Sequence, residues 1–498
     1  MESQCSVVGA TLRGVNALPV EVEVSISNGM PGFAIVGMGD ASVQESRERV
    51  RAALRSNGFA MPASKIVVNL APSALRKTGS GFDLPIAVGI LAATGQIDPA
   101  MARLGLFVGE LSLEGFVRPV PGLLAYALCA RDARLPLVCA PSAEGGIAIE
   151  GLRRLFVESL ATMRTGSFET SVHDVRPPCV APLDYKDIAG HDMAKRALQI
   201  AAAGEHGLLM MGPPGSGKTM LASRLPSILP PLSQTEALET AVIYSVAGED
   251  ESFALAGVRP FRKPHHSSTL AGLVGGGSPI RPGEVSLAHN GVLMLDELAE
   301  FKTSALQGMR QPMEAGHVVL TRADGSVEFP ARFMFIAASN PCPCGYFGDD
   351  ERPCMCTARQ VRSYQARIGG PLIDRIDMRL DIRRLPPRRV LATGGGADSA
   401  SLREGVLAAR EYSSWRRAKA GLIGREEPRQ LVEQCALSGD DERFLERMSE
   451  SQQLSGRSLI CVLRLARTIA DMAQVPRVTK DHVCEAFGFR AWEGVTTS

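Results

Sequence analysis

Several features are missing from this 498-residue chain, and each absence narrows its chemistry. No uncharged apolar run approaches the ~20 residues that a membrane span needs, and the opening MESQCSVVGATLRG lacks a basic stretch followed by an apolar core. The expected location is cytoplasmic, with no membrane partner. Charge of one sign is missing too, because 54 Lys and Arg face 53 Asp and Glu for a formal net charge of +1. Bulk coating of nucleic acid is thereby excluded, whereas a local basic surface such as the inside of a ring is not. No internal repeat is visible, and the apolar and charged fractions are those of an ordinary globular protein.

At about 150 residues per domain, the length predicts roughly three domains. Residues 1–172 alternate β-branched runs (VEVEVSI, FAIVGM, KIVVNL, LFVGEL) with helical patterns (SVQESRERVRAALRSNG, DLPIAVGILAATG), which predicts an α+β or α/β domain. HDVRPPCVAP, residues 173–182, reads as a linker. From 183 to 385 a helix, the strand GLLMMG, a glycine loop, a helix, and the strands GVLMLDE and ARFMFIAASN predict a parallel sheet with crossover helices. RRLPPRR and GGG (394–396) mark a break, and 400–498 is helical throughout. The predicted class is multidomain α/β.

GPPGSGKT comprises Gly212, Pro213, Pro214, Gly215, Ser216, Gly217, Lys218 and Thr219, between a strand and a helix, which is the context a phosphate-binding loop requires. Its backbone N–H groups would cradle ATP phosphates, Lys218 would neutralise β/γ oxygens, and Thr219 would hold Mg²⁺. VLMLDE sets Asp296 and Glu297 at a strand end, the first for the Mg²⁺ shell and the second to polarise the attacking water. FMFIAASN ends another strand on Asn340, an amide suited to positioning that water.

This order of phosphate loop, acidic strand and polar strand end, followed by helices, resembles the AAA+ ATPases. GPLIDRID (370–377) resembles the arginine-finger segment of their magnesium-chelatase and MCM branch. Arg375 would then reach the γ-phosphate of a neighbouring subunit, which implies an oligomeric ring. SGRSLICVLRLAR resembles the second sensor of a helical lid, with Arg457 as first choice and Arg464 as second.

FRKPHHSSTLAGLVGGGSPIRPGEVSLAHNG, together with NPCPCG, resembles the ComM/YifB group of magnesium-chelatase-like AAA+ proteins. That resemblance covers nearly the whole chain and implies a hexameric helicase that drives branch migration of DNA during natural transformation. GLVGGGSPIRPGE (272–284) is too glycine-rich for a packed helix and carries Arg281. HVVLTRADGSVEFPAR (317–332) predicts a β-hairpin around Asp324 and Gly325, with Arg322 beside the turn. Insertions at these places in the MCM-like branch enter the ring's pore. Arg281 and Arg322 would there bind phosphates of single-stranded or branched DNA without sequence preference. His265 and His266 are adjacent, so they cannot easily converge on one metal and are expected to pack or touch phosphate.

RKTGSGFDLPIAVGILAA resembles the Lon-protease-like domain, of the ribosomal S5 domain 2 type of fold. Peptide hydrolysis there needs a Ser/Lys dyad. Gly81 falls in the nucleophile's slot, Ser80 is one place off, and Leu124 stands where the lysine is expected, so no protease is predicted. A chelatase-type ATPase remodelling a protein partner is the alternative to a DNA motor. Peptide-gripping pores commonly use aromatic residues, and neither candidate loop has one near its tip.

Seven of the eleven cysteines stand singly, but Cys342, Cys344, Cys354 and Cys356 form two Cys-x-Cys pairs in NPCPCGYFGDDERPCMC. Cytosolic thiols are normally reduced, and this loop has little to bury, so a structural Zn²⁺ staple is the preferred reading. Unliganded thiols and a redox pair are the alternatives. Four cysteines leave no open position for catalysis.

Overall fold

A computed structural model of the chain describes residues 3–141, 149–166, 168, 170, 183–277, 279–322, 325–386, 388, 396–422 and 427–490. The expected linker 173–182, and Gly394 and Gly395, lie outside these residues.

The N-terminal part begins with a long antiparallel hairpin, Ser3–Arg13 against Asn16–Ser27. Val20, Val22, Val24 and Ile26 are buried at every second position, as a sheet with one packed face requires. Seven strands follow the order Gly32–Val36, Lys65–Ala71, Asn16–Ser27, Ser3–Arg13, Leu106–Val108, Leu137–Cys139, Arg154–Phe156. Helices Ala41–Ser56 and Asp83–Ala93 pack onto this part of the chain, the second with Asp83 through Ala92 all buried. The run LFVGEL splits into two strands, Leu106–Val108 and Glu110–Leu111. Gly109 explains the break: its N–H donates to the Gly81 carbonyl and its carbonyl accepts from Leu84 N–H, so the backbone leaves the sheet there.

The middle part holds five parallel strands in the order Phe261–Arg262, Val292–Leu295, Met334–Ser339, Leu208–Met211, Met378–Asp381. Leu208 and Met210 enter one apolar core while Leu209 and Met211 enter another. Burial on both faces accounts for the unbroken apolar run LLMM. The strand Leu208–Met211 is flanked on both sides by strands that come later in the chain, so its C-terminal end opens at a topological switch point, where α/β sheets bind ligands.

Helices Ser399–Lys419, Pro428–Cys435, Gly439–Ser451, Gly456–Met472 and Lys480–Gly488 make up the C-terminal part. They share a core with the helix Asp192–Gly204. Within it Asp471 accepts from Arg416 at 3.1 Å and pairs with Arg467 at 3.0 Å, all three side chains being nearly sealed from solvent. The N-terminal part meets the middle through Leu124 and Ala125, which pack with Leu232, Ala237, Ala241 and Val242. Two backbone donors lock that contact: Gly122 N–H to the Ser245 carbonyl (2.7 Å) and Leu124 N–H to Ser245 Oγ (3.2 Å). Among the described residues, no helix is long and apolar enough to cross a membrane.

Candidate active site

Residues 212–217 form the turn between strand Leu208–Met211 and helix Lys218–Ala222, whose first two residues are Lys218 and Thr219. Gly215 and Gly217 have φ near +78° and +86°, a conformation that glycine adopts without strain. A Cβ on Gly212 would sit 2.2 Å from the Ile382 carbonyl oxygen, so only glycine lets the neighbouring strand approach this closely. Lys218 folds back over the loop, its Nζ 2.7 Å from the Gly212 carbonyl, 2.9 Å from that of Pro213 and 3.4 Å from Asn340 Oδ1. Burial pulls the Lys218 ammonium down to about 8, opposed by the charge of Asp296 and helped by that of Arg384.

Thr219 Oγ1 donates to Asp296 Oδ2 at 2.7 Å, and Lys263 Nζ lies 2.9 Å from the same oxygen. Burial alone would raise the Asp296 carboxyl, but the Lys263 and Thr219 bonds outweigh it and hold the group below the usual carboxylate range. A hydroxyl and a carboxylate side by side are hard oxygen donors of the kind Mg²⁺ takes. Glu297 has φ +53°, a left-handed backbone that a non-glycine residue adopts only when its surroundings enforce it. Its Oε2 lies 3.3 Å from His266 Nδ1. The His266 ring also packs against that of His265, their centres 4.1 Å apart, while His265 turns to Ser267 Oγ at 2.8 Å.

Asn340 follows the strand Met334–Ser339, whose last residue pairs with Met211, and this register is what brings its amide to Lys218. Arg375 and Arg457 converge elsewhere: both donate to Glu314 Oε1, at 2.9 and 2.8 Å. Those bonds, Arg375's first, keep the Glu314 carboxyl below its ordinary range. Arg464 faces Asp377 at 4.0 Å instead. Arg375 and Arg457 therefore form one cluster, apart from the contacts that Lys218 makes.

The hairpin expected over 317–332 forms as His317–Arg322 against Gly325–Pro330, with Arg322 paired to Gly325. Residues 323–324 and the Arg322 side chain lie outside the described residues. The segment 272–284 departs from expectation at its ends. Gly272, Leu273 and Val274 belong to the short helix Leu270–Val274, capped by Thr269 and anchored by buried Leu273, and Glu284 starts another. Between them Gly275–Gly276 pairs with Arg281–Pro282, leaving Arg281 exposed. A Cβ on Gly275 would meet Leu320 at 3.2 Å, so this ladder lies against the hairpin.

All four clustered cysteines converge, their sulfurs lying within 4.8 Å of one another. Burial raises Cys344, yet the backbone amides of Tyr346 and Met355 overcome it and bring that thiol to about 6.

The sequence assigns no such role to Lys263, His266, Glu314 or Arg384, His266 being expected only to pack or touch phosphate. The first two had a signal: they follow a short strand that pairs with Val292–Leu293, just ahead of Asp296 and Glu297. Arg384 donates to the Pro214 carbonyl at 2.9 Å from a segment that reads in sequence only as a break.

Comparison with known proteins places these features in a lineage. The magnesium chelatase, subunit ChlI family matches residues 184–390, the subunit ChlI of Mg-chelatase family residues 22–144, and the magnesium chelatase, subunit ChlI C-terminal family residues 396–490. The protein YifB of Salmonella typhimurium is 42% identical over 489 residues, 96% of this chain and 95% of that protein. Competence protein ComM of Haemophilus influenzae is 40% identical over 491 residues, 96% of each. The magnesium-chelatase 67 kDa subunit of Chlorobaculum parvum is 30% identical over 159 residues, 32% of this chain and 23% of that protein. With such relatives along nearly its whole length, the chain belongs to the ComM/YifB family of magnesium-chelatase-like AAA+ proteins.

Proposed function

We propose that the protein is an ATP-driven DNA motor, a hexameric AAA+ ring that drives branch migration of recombination intermediates as in natural transformation. The observation that carries the ATPase part is the meeting of Lys218, Thr219, Asp296 and Asn340 at the C-terminal ends of adjacent parallel strands. In this reading Lys218 leaves its loop carbonyls for the β/γ-phosphates. Thr219 and Asp296 ligate Mg²⁺, which when bound neutralises charge on those oxygens. Glu297 polarises the attacking water, His266 orients Glu297, and Asn340 positions the water against the γ-phosphate.

Arg375 acts across the subunit boundary as the finger. Arg457, held on the same Glu314 oxygen, accompanies it as the second sensor in preference to Arg464. The helices from 400 onward serve as the lid. The N-terminal part, read as Lon-like, acts as a scaffold and not as a protease. Ser80 Oγ is bonded to the Glu110 carboxylate and Leu124 is buried, so neither position offers a Ser/Lys dyad. Zn²⁺ on the four cysteines is structural.

DNA is the favoured substrate because the glycine ladder, with Arg281 exposed, lies against the hairpin whose sequence carries Arg322 beside its turn, while the hairpin's Phe329 is buried and cannot grip a peptide. The test is ATP turnover with and without added DNA. Turnover rises with DNA for a motor and is unmoved for an ATPase that remodels a protein partner. Lys218→Ala and Glu297→Gln abolish turnover while rings still form.

A further inference from the structure

The loop that the four clustered cysteines close touches the phosphate loop. Cys342 and Cys344 sulfurs are 3.3 Å apart, Cys342 and Cys354 are 3.7 Å apart, and Cys344 and Cys354 are 3.6 Å apart. Thiolates at about 2.3 Å from a tetrahedral zinc stand about 3.8 Å from one another. A disulfide needs about 2.05 Å, so the spacing is that of metal ligands.

Gly345 directly follows Cys344 and has φ +85°. A Cβ there would lie 2.6 Å from Pro214 Cδ and 2.8 Å from Cγ, so the cysteine loop rests with bare backbone on the phosphate loop. Arg384 closes the contact from the other side. Its Nη2 donates to the Pro214 carbonyl (2.9 Å), its guanidinium lies 5.3 Å from the Tyr346 ring centre, and its Nε is 3.7 Å from Asp349 Oδ2. The Asp349 carboxylate is only 3% exposed, and Asp349 Oδ1 accepts from the N–H groups of Glu351 and Arg352. Arg352 in turn donates to Tyr346 Oη at 3.1 Å.

Residues 345–353 hold little apolar surface, so burial alone cannot offset the entropy of ordering them. A metal that joins both ends of the loop can. We propose that the four cysteines bind one zinc ion that sets the phosphate loop, holding Gly345 on Pro214 and Asp349 and Tyr346 on Arg384, so that nucleotide affinity depends on the metal. Arg384 is a positioning residue, since it acts through the Pro214 carbonyl. The inference rests on reading Gly212–Thr219 as the nucleotide loop.

The experiment measures zinc content by mass spectrometry and the Kd of a fluorescent ADP analogue, on full-length protein. Three samples are compared: wild type, wild type stripped by a chelator, and the Cys354→Ser/Cys356→Ser variant. The expected result is one zinc per chain in wild type and none in the other two. Kd should weaken about tenfold or more in both zinc-free samples and recover when zinc is returned to the stripped protein. Arg384→Ala should keep its zinc yet weaken Kd similarly, which separates loop positioning from unfolding. Equal zinc in wild type and the double variant overturns the proposal, as does a zinc-free or Arg384→Ala protein that binds within twofold of wild type. If wild type binds no nucleotide while holding zinc, the phosphate-loop reading fails and takes this inference with it.

Discussion

Lys218 shows how a single side chain carries both a signature and a liability. Buried under its own loop, it holds its proton only up to about pH 8. Bound phosphates favour the ammonium, so binding is strongest below that pH and weakens as the proton is lost above it. Nucleotide Kd should therefore rise about tenfold between pH 7 and pH 9, as measured by fluorescence titration, with most of the change above pH 8. A flat profile would mean that Lys218 stays charged throughout. Glu297 makes a different prediction, because its left-handed backbone and its contact with His266 hold the carboxylate without touching the loop. Glu297→Gln should lower kcat by at least about 100-fold, as loss of a positioned general base does, with nucleotide Kd nearly unchanged. The eight residues of the phosphate loop could be read from sequence because they are contiguous. Glu314 and Arg384 could not, because packing alone brings them to their partners, and the signal for Lys263 and His266 lay only in the strand pairing ahead of them.

Elements were legible where one periodicity dominated. The alternation in Asn16–Ser27 and the apolar stripe of Gly456–Met472 both gave their element directly. Short-range exceptions were set by single glycines, as where Gly109 turns the backbone of LFVGEL toward the helix that follows Gly81. Least visible was the polar knot in the C-terminal helices, because Arg416 on one helix and Arg467 and Asp471 on another look in sequence like ordinary solvated charges. Asp471 takes part in bonds to both guanidiniums, and its removal leaves two buried cations without their carboxylate. Asp471→Ala should cost about 3–5 kcal/mol, read from the shift of a urea unfolding curve. A change under about 1 kcal/mol would show that the arginines find water or new partners.

At the scale of the whole molecule, the proposed ring needs a nucleotide site and a finger that stand apart on one chain. Lys218 and Asn340 lie on one set of contacts, Arg375 and Arg457 on another, and Glu314 gathers the second pair just ahead of the hairpin His317–Arg322. The family resemblance suggests a finger acting in trans, whereas the Glu314 anchor needed coordinates. Arg375→Ala and Lys218→Ala should each be inactive alone. Mixed, they should recover measurable ATP turnover, since a Lys218→Ala subunit lends its Arg375 to a neighbour with an intact phosphate loop. Two inactive preparations that stay inactive on mixing would remove the finger from its proposed role.

The central claim is that ATP turnover moves DNA, and strand exchange on a synthetic four-way junction at low salt tests it most directly. Wild-type protein with ATP and Mg²⁺ should convert the junction to its duplex products and hydrolyse ATP faster when the junction is present, while Glu297→Gln should bind the junction and leave it unchanged. ATP hydrolysis that is indifferent to DNA, with no junction resolved by the wild type, would contradict the account.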